Sequence, residues 1–295
     1  TKFLENLNPE QIKAITLENQ SALILAGAGS GKTKVLTSRI SWLIHNQITG
    51  PTGLLAVTFT NKAAKEMLSR VTDQLPIHTR GMWVGTFHGL CNRMLRIHHR
   101  EVNLPETFQI LDSSDQLSAI KRLMKAMNID IETFPPKEIQ YFINGKKDEG
   151  LRFKNVKPYD PHTNRINEIY GEYEKQCQRE GVADFPELLL GCYELLKNNI
   201  AIKEHYQKRF KHILIDEFQD TSELQYKWLK LLAGKENFVF AVGDDDQSIY
   251  AFRGARVGNM QDLEKDFKIK NIIKLEQNYR SKNNILNAAN AIIEN

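Results

Sequence analysis

The feature that most constrains this chain is a glycine-rich turn between a short apolar strand and a helical segment. Ala22–Ala26 is apolar, and the eight residues from Ala26 read A-G-A-G-S-G-K-T. Such a turn can direct backbone N–H groups at a phosphate, and the N-terminus of the following helix adds positive potential. Lys32 and Thr33 are the residue types that contact terminal phosphates and Mg²⁺. The segment predicts a phosphate-binding loop, with Ala26 where the common pattern has glycine; a purely structural turn is the alternative.

A second apolar strand ends in paired carboxylates. The run His212–Asp216 is followed directly by Glu217. The strand-end Asp216 is expected to hold Mg²⁺ beside a nucleotide, and Glu217 is expected to orient or deprotonate the attacking water. Taken alone, the pair could instead cap the following helix. A kinase for a small metabolite is the other reading, although that class does not normally need a glutamate dedicated to water.

A third polar segment follows the apolar run Phe238–Gly243. Its Gln247 can bond a phosphate or the attacking water, and Tyr250, Phe252 and Arg253 combine aromatic faces with a guanidinium. Such groups stack on unpaired bases and contact the backbone of a nucleic acid. Core packing of the two aromatic residues is the alternative. One segment would therefore contact nucleotide at one end and nucleic acid at the other.

Apolar runs typical of buried parallel strands alternate with helical patterns near both ends of the chain. The predicted strands are Ala22–Ala26, Leu54–Thr58, Met82–Gly85, His212–Asp216, Phe238–Gly243 and Ile272–Leu275. From about Ile97 to Asp184, amphipathic helical patterns dominate. This organisation predicts an α/β fold with a parallel sheet and an inserted all-helical subdomain.

One stretch of the middle region, Asn144–Pro158, is predicted to be a basic loop. It carries five cations against two carboxylates: Lys146, Lys147, Arg152, Lys154 and Lys157, with Asp148 and Glu149. A solvated surface and a DNA-contacting surface are equally good readings of this charge run.

Composition excludes several classes of protein. Hydrophobic residues make up 41% and charged residues 26% of the 295, as in ordinary globular proteins. No apolar run is long enough for a membrane span, and no basic-plus-apolar leader opens the chain. The three cysteines are too dispersed for a zinc site or a disulfide framework, which favours a reducing, cytoplasmic setting. A net charge of +4 permits a nucleic-acid partner without requiring one.

Together these segments resemble the superfamily 1 DNA helicases of the UvrD/Rep/PcrA group. Leu7–Gln11 is similar to the Q motif, Ala26–Thr33 to motif I, where this family commonly has alanine first, and Leu275–Ser281 to motif IV. The resemblance implies that Gln11 reads the adenine edge, while Tyr279 stacks on adenine and Arg280 reaches the γ-phosphate. The implied ATP-binding residues are Gln11, Ala26, Gly27, Ala28, Gly29, Ser30, Gly31, Lys32, Thr33, Tyr279 and Arg280.

The same resemblance implies the catalytic groups. Asp216–Thr221 is similar to motif II and Gly243–Ala255 to motif III. The implied catalytic residues are Lys32, Asp216, Glu217, Gln247 and Arg280, with Mg²⁺ held by Thr33 and Asp216. The implied cofactors are therefore ATP and Mg²⁺.

A single-stranded DNA site is implied by two further segments. Ala56–Ala64 resembles motif Ia, and Gly85–Gly89 resembles the next DNA-contacting motif. The implied contacts are Thr58, Phe59, Thr60, Asn61, Thr86, His88, Tyr250, Phe252 and Arg253. The family often has tryptophan at the position of Phe252, and phenylalanine retains stacking with a smaller face. Without the motif, His88 would be read as a capping or core residue.

The resemblance predicts a RecA-like P-loop domain made of residues 1–97 and 185–275. The helical insertion is residues 98–184, and residues 276–295 begin a second RecA-like domain. The implied function is ATP-dependent translocation along single-stranded DNA, 3′ to 5′, with duplex unwinding in DNA repair or replication. The implied partners are single-stranded DNA, single-strand–duplex junctions and repair or replication proteins, in the cytoplasm and away from membranes.

One departure from the family pattern affects the expected activity. Motifs V and VI, with the second arginine that completes ATP hydrolysis, would lie beyond Asn295. Because such an arginine is worth orders of magnitude in turnover, we expect weak ATP binding and little hydrolysis from this chain alone. The alternatives are a module that only binds ATP and single-stranded DNA, and a helicase–nuclease subunit of the same superfamily.

Overall fold

The computed structural model describes residues 2–27, 31–157, 160–244 and 260–275, with side chains from Leu263 onward in the last segment. The chain divides into two compact units. The described residues up to Thr86, those from Leu229 onward and Glu204–Thr221 form the first unit; those of Phe87–Lys203 and Ser222–Trp228 form the second. The boundaries predicted at 97/98 and 184/185 stay a prediction, and residues 276–295 lie outside the described part.

The first unit is built on a parallel sheet of six strands. The strands of the described residues, in chain order, are β1 (Ala22–Ala26), β2 (Leu54–Thr58), β3 (Trp83–Thr86), β4 (Gln109–Leu111), β5 (Val182–Asp184), β6 (His212–Ile215), β7 (Phe238–Asp244) and β8 (Asn271–Leu275). The large sheet has the order β3-β2-β6-β7-β1-β8, and every pairing in it is parallel. All residues of β1 and β2 are buried, as expected for strands covered on both faces.

The helices of the described residues lie between these strands. They are α1 (Pro9–Ile15), α2 (Lys32–His45), α3 (Asn61–Gln74), α4 (Phe87–Ile97), α5 (Ser113–Ala126), α6 (Pro136–Asp148), α7 (Pro161–Glu180), α8 (Phe185–Asn198), α9 (Ile200–Arg209), α10 (Glu223–Leu232) and α11 (Met260–Phe267). Short 3₁₀ turns cover Lys2–Leu4, Phe153–Asn155 and Phe218–Asp220. No helix in these ranges is long and apolar enough to cross a membrane.

The strand order brings three chain segments together at one edge of the sheet. Strand β7 lies between β6 and β1, and Ala26 at the end of β1 pairs with Asp244 at the end of β7. Ligands bind at the carboxyl ends of strands in open α/β sheets. The turns after β1, β6 and β7 therefore meet where a ligand site is expected.

The helices that leave this edge begin in different ways. Asn8 caps α1 in a reciprocal pair with Gln11, and Thr60 caps α3 by accepting a hydrogen bond from the Ala63 N–H. The residue before helix α2 is Gly31, which has φ +77° and provides no side-chain cap. Because the first N–H groups of a helix have no partner within it, those of α2 are available to an anion.

The second unit has its own core. Helices α5, α6 and α7 pack through buried aliphatic and tyrosine side chains, including Ile120, Ile143, Tyr170 and Tyr173. Strands β4 and β5 pair in parallel beside these helices. The prediction that this region is all-helical is therefore too strong. The two strands were missed because three residues are too few to show an alternating pattern.

The predicted α/β fold with a parallel sheet is confirmed. All six predicted strands are present, and the largest shift is one residue at the start or end of a strand. The predicted basic loop from Asn144 is wrong in its first part, because α6 continues to Asp148 and the chain turns only at Gly150, which has φ +82°.

Burial of His212 on β6 makes the first unit sensitive to acid. This side chain is 4% exposed, and burial, with the charges of Arg39 and Lys211, lowers its pKa from 6.5 to about 4. The unfolded chain therefore binds the proton more tightly, and stability falls as the pH decreases from 6.5 towards 4. Between pH 7.5 and 5 the loss from this residue is about 2 kcal/mol.

We expect His212→Gln to reduce the loss of unfolding free energy between pH 7.5 and 5, measured by urea denaturation. His78→Gln is the matched control, since His78 is an exposed histidine of the same unit. An unchanged pH dependence in His212→Gln would contradict this account.

Candidate functional site

The ammonium group of Lys32 lies among three carboxylates at the carboxyl edge of the large sheet. Its Nζ donates a hydrogen bond to Glu217, and it lies 3.6 Å from Oδ1 of Asp216 and 3.9 Å from Oδ1 of Asp244. Lys32 follows β1, the two residues of motif II follow β6, and Asp244 ends β7. The sheet thus brings together Lys32, Asp216 and Glu217, as the sequence predicted, and adds Asp244.

Glu217, which contacts Lys32, has an uncommon backbone conformation. Its φ is +50°, in the left-handed region that costs a non-glycine residue about 1–2 kcal/mol. Its N–H donates to Oδ1 of Asp216 at 2.9 Å. Strained backbone of this kind is concentrated at functional sites, which supports a role for the Glu217 side chain beyond helix capping.

Gln219 connects the carboxylates of this cluster. Its Nε2 donates to Oε2 of Glu217 at 2.7 Å and to Oδ2 of Asp244 at 3.2 Å. Its Oε1 accepts a hydrogen bond from the Asp244 N–H at 3.1 Å. A Cβ atom at Gly243 would lie 2.8 Å from that oxygen, so glycine there allows the amide to approach β7.

The surroundings within the cluster shift the pKa values of Lys32, Asp216 and Glu217. Burial lowers the pKa of Lys32, but its bond to Glu217 and the three carboxylates outweigh burial and raise it. Burial and the charge of Glu217 raise the pKa of Asp216 despite the nearby ammonium. Burial alone raises the pKa of Glu217, but hydrogen bonds with Lys32 and Gln219 bring it below its usual value. Lys32 and Gln219 therefore favour the ionised form of Glu217, with one hydrogen bond to each of its carboxylate oxygens.

Gln11 lies directly against the glycine that begins α2. Its side chain is 8% exposed, and its Oε1 accepts a hydrogen bond from the Asn8 N–H at 2.9 Å. A Cβ atom at position 31 would lie 2.8 Å from Nε2 of Gln11, and Gly31 has φ +77°. The predicted adenine-reading residue is thus a capping residue as well, and its amide nitrogen faces the phosphate loop.

The other described members of the predicted ATP site surround this point. Ala26 ends β1, Gly27 follows it, and Thr33 lies in the first turn of α2 with its carbonyl bonded to the Thr37 hydroxyl at 2.9 Å. No group of three or more metal-ligating side chains occurs in the described ranges. The predicted metal donors, the Thr33 hydroxyl and the Asp216 carboxylate, are both of the oxygen type that Mg²⁺ prefers.

The residues predicted to contact DNA after β2 differ in exposure. Thr58 is fully buried, and its hydroxyl donates to the Thr60 carbonyl at 3.1 Å. It therefore shapes the turn in this structure and presents no side chain to the surface. Phe59 is half-buried, whereas Thr60 and Asn61 are exposed at the start of α3.

A stacked aromatic pair lies in the second unit. The rings of His88 and Phe185 are 4.0 Å apart between centroids and inclined by 13°. His88 is in the first turn of α4, and burial lowers its pKa to about 4, so it is neutral at physiological pH. Phe185 begins α8 and is 54% exposed. The Phe185 ring, kept nearly parallel to the neutral His88 ring and partly exposed, is suited to stacking on a base. Thr86, the other residue predicted from this motif, is half-buried at the end of β3.

Asp184, which precedes Phe185, is a buried centre of hydrogen bonds. Its carboxylate accepts from the Glu187 N–H at 2.8 Å, from Lys147 Nζ at 2.8 Å and from the Tyr173 hydroxyl at 2.6 Å. All these partners belong to the second unit. Their bonds to Asp184 fix the start of α8 and therefore the backbone position of Phe185.

Two of the five cationic side chains in the predicted basic loop form ion pairs within the second unit. Lys147 is 2% exposed and pairs with Asp184 and Glu187. Arg152 bonds Glu187 at 2.6 Å and Glu194 at 2.5 Å. Lys147 and Arg152 lower the pKa of Glu187 to about 2 despite its burial. Neither a solvated surface nor a DNA-contacting surface describes these two residues, because their charges pair with carboxylates within the second unit.

Several predicted site residues lie outside the described ranges. They are Ala28, Gly29 and Ser30 of the phosphate loop, Gln247, Tyr250, Phe252 and Arg253 after β7, and Tyr279 and Arg280 near the end of the chain.

Three residues of these sites were missed by the sequence analysis. Asp244 had a usable signal, because it follows a predicted strand whose carboxyl end meets those of β1 and β6. Gln219 lies in the segment similar to motif II, but its bridging contacts had no signal, since they depend on its distance from β7. Phe185 had only a weak one, an aromatic residue directly after a capping aspartate, because exposure cannot be read from a single sequence.

Comparison with known proteins agrees with this geometry. A family model described as the UvrD/REP helicase N-terminal domain matches residues 7–268. The chain is 52% identical over 294 residues to DNA helicase II of Escherichia coli strain K12, and 46% identical over 298 residues to a probable DNA helicase II homolog of Rickettsia conorii strain Malish 7. It is 40% identical over 295 residues to the ATP-dependent DNA helicase PcrA of Staphylococcus aureus strain Mu50.

These alignments cover 99% of the chain and 41%, 45% and 40% of the respective relatives. The chain thus spans about two fifths of the length of the curated relatives it matches. The resemblance drawn from the motifs is confirmed by the family model and by all three relatives. The chain belongs to the UvrD/REP helicase N-terminal domain family.

Proposed function

We propose that this chain is the ATP-binding and single-stranded-DNA-binding part of a DNA helicase that moves 3′ to 5′ and separates duplexes in repair or replication. The observation that carries the proposal is the Lys32 ammonium among Asp216, Glu217 and Asp244, at the edge of the sheet where α2 begins without a cap. Relatives whose alignments cover 99% of this chain are named DNA helicases.

Binding of ATP would exchange partners at Lys32. The uncapped N–H groups of α2 attract the phosphates, and the ammonium group turns from the carboxylates to the β- and γ-phosphates. Gln11, whose amide nitrogen lies against Gly31, is proposed to meet the adenine base. These residues bind and orient the nucleotide.

The charge of the cluster argues that ATP enters with a divalent cation. Three carboxylates share one ammonium group, so two negative charges are uncompensated and would repel a polyphosphate. Mg²⁺ is usually held by one or two protein oxygens together with phosphates, and Thr33 and Asp216 provide that donor set. When bound, Mg²⁺ neutralises charge that develops on the phosphates.

The same exchange would prepare Glu217 as the base for water. In this structure its bonds to Lys32 and Gln219 keep the pKa of Glu217 below its usual value, which makes it a poor proton acceptor. Once Lys32 moves to the phosphates, that pKa rises, and Glu217 can accept a proton from the attacking water. Basicity would thus appear only when nucleotide is present.

Single-stranded DNA is proposed to contact each unit separately. In the first unit the exposed Thr60 and Asn61 and the half-buried Phe59 follow β2. In the second unit Phe185, supported by His88, offers a ring face. Aromatic faces bind bases of any sequence, as movement along DNA requires.

Variants of the two central residues should change ATP affinity in opposite directions. Lys32→Ala removes the phosphate partner and should weaken ATP–Mg²⁺ binding about 10- to 100-fold. Glu217→Gln retains the shape but removes one repelling charge, so it should strengthen binding about three- to tenfold at low salt. Isothermal titration of the 295-residue chain measures both.

The matched control for these variants is Lys270→Ala. Lys270 is exposed and precedes β8, at the opposite edge of the sheet, so its removal should leave ATP affinity unchanged. Unchanged affinity in Lys32→Ala would overturn the phosphate-loop assignment, and weaker binding in Glu217→Gln would overturn the argument from excess charge.

Stacking at Phe185 should be visible in DNA affinity. We expect Phe185→Ala to weaken binding of an oligothymidylate by about 1–3 kcal/mol, with no change in the salt slope, because stacking releases no counterions. Tyr141→Ala is the control, since Tyr141 is 83% exposed in the same unit. Fluorescence anisotropy at several salt concentrations measures both; equal affinities of wild type and Phe185→Ala would refute the stacking role.

Directional movement is tested with the protein that contains this chain. The proposal expects ATP-dependent release of a labelled strand from a duplex with a 3′ single-stranded tail, and none from a duplex with a 5′ tail. Release that is independent of ATP, or that prefers the 5′ tail, would contradict it.

A further inference from the structure

Arg39 on α2 is a buried cation that the proposed ATP chemistry does not use. Its side chain is 1% exposed, and its guanidinium lies 5.3 Å from the ring centre of Trp42 and 5.2 Å from that of Phe240. Burial lowers its pKa to about 10, so it is charged at physiological pH. No carboxylate in the described ranges pairs with it, and its Nε–H has no hydrogen-bond partner there.

The polar partners of this guanidinium lie at the C-terminal end of α1 and just after it. Its Nη1 donates to the carbonyl of Ile15 at 2.7 Å and also to the carbonyl of Leu17. The last carbonyls of a helix have no partner within the helix and carry its negative dipole end. A buried charge is costly without such partners, so the contact determines where α1 ends against α2.

Helix α1 depends on such contacts for its position. It has seven residues, and helices this short are not stable in isolation. Its N-terminal turn carries Gln11, which faces Gly31, and its C-terminal end is held by Arg39, two turns along the helix that begins at Lys32. Both ends of α1 therefore contact α2 or the glycine directly before it.

We propose that Arg39 is a positioning residue that holds α1 so that Gln11 discriminates the adenine base. Through Gln11 it supports binding of the base and not binding of the phosphates. This inference rests on the proposed ATP site and deepens it. Phosphate binding depends on the first turn of α2 and on Lys32, which Arg39 does not touch. Loss of Arg39 should therefore alter the part of the affinity that comes from the base.

The test compares ATP with inorganic tripolyphosphate, both with Mg²⁺, by isothermal titration of the 295-residue chain. Arg39→Met, which retains apolar bulk between the two rings, should weaken ATP binding about tenfold and leave tripolyphosphate binding within about twofold. Gln11→Ala should give the same pattern. In the double variant Arg39→Met with Gln11→Ala, the losses should not add, because both act through one contact to the base.

Ser41→Ala is the matched control. Ser41 is fully buried on α2, two residues after Arg39, and its hydroxyl donates to Gln74 of α3 at 2.5 Å. Its removal loosens α2 towards α3 instead of α1, so the ratio of the two affinities should stay unchanged.

Arg39→Lys provides a variant that keeps the charge if Arg39→Met fails to fold. An ammonium group keeps the charge but lacks the planar guanidinium that packs on the rings of Trp42 and Phe240, so an intermediate loss of ATP selectivity is expected. Equal weakening of ATP and tripolyphosphate, full additivity with Gln11→Ala, or unchanged ATP affinity would each overturn the proposal. Wild-type protein that binds neither ligand would instead overturn the proposed ATP site itself.

Discussion

One ammonium group shared by three carboxylates is the interaction on which the rest of the nucleotide site depends. The Lys32 ammonium lies among Asp216, Glu217 and Asp244, and these three carboxylates together raise the pKa of Lys32. Such a cluster cannot accept a polyphosphate without losing its cation to it. In the proposed function, this arrangement couples nucleotide entry to the release of Glu217, and its excess negative charge favours entry together with a divalent metal.

The parallel sheet makes this cluster possible. Three segments far apart in the chain, after β1, β6 and β7, reach one edge because β7 lies between the other two. Close approach is secured locally by Gly31, against Gln11, and by Gly243, against Gln219. The buried Arg39 of α2 connects this region to α1 through its hydrogen bond to the Ile15 carbonyl. Charge placement at the site is thus a consequence of strand order and of a few close backbone contacts.

Most of the fold and the centre of the site could be predicted from the sequence, because buried strands and glycine-rich turns have strong local signals. Asp216 and Glu217 followed from their position at a strand end. What could not be predicted depends on contacts between distant residues. The burial of Thr58, the pairing of Lys147 with Asp184 and the bridging role of Gln219 are decided by packing. Short strands such as β4 and β5 were missed because three residues show no periodicity.

The most direct test of the central claim is the Mg²⁺ dependence of ATP binding by wild type and Asp216→Asn. If the excess carboxylate charge requires a metal, Mg²⁺ should strengthen ATP binding by the wild-type chain. Asp216→Asn should lose most of that gain, about tenfold, while its Mg²⁺-free affinity is equal to or stronger than that of wild type. An equal gain from Mg²⁺ in both proteins would show that Asp216 does not hold the metal and would contradict the account.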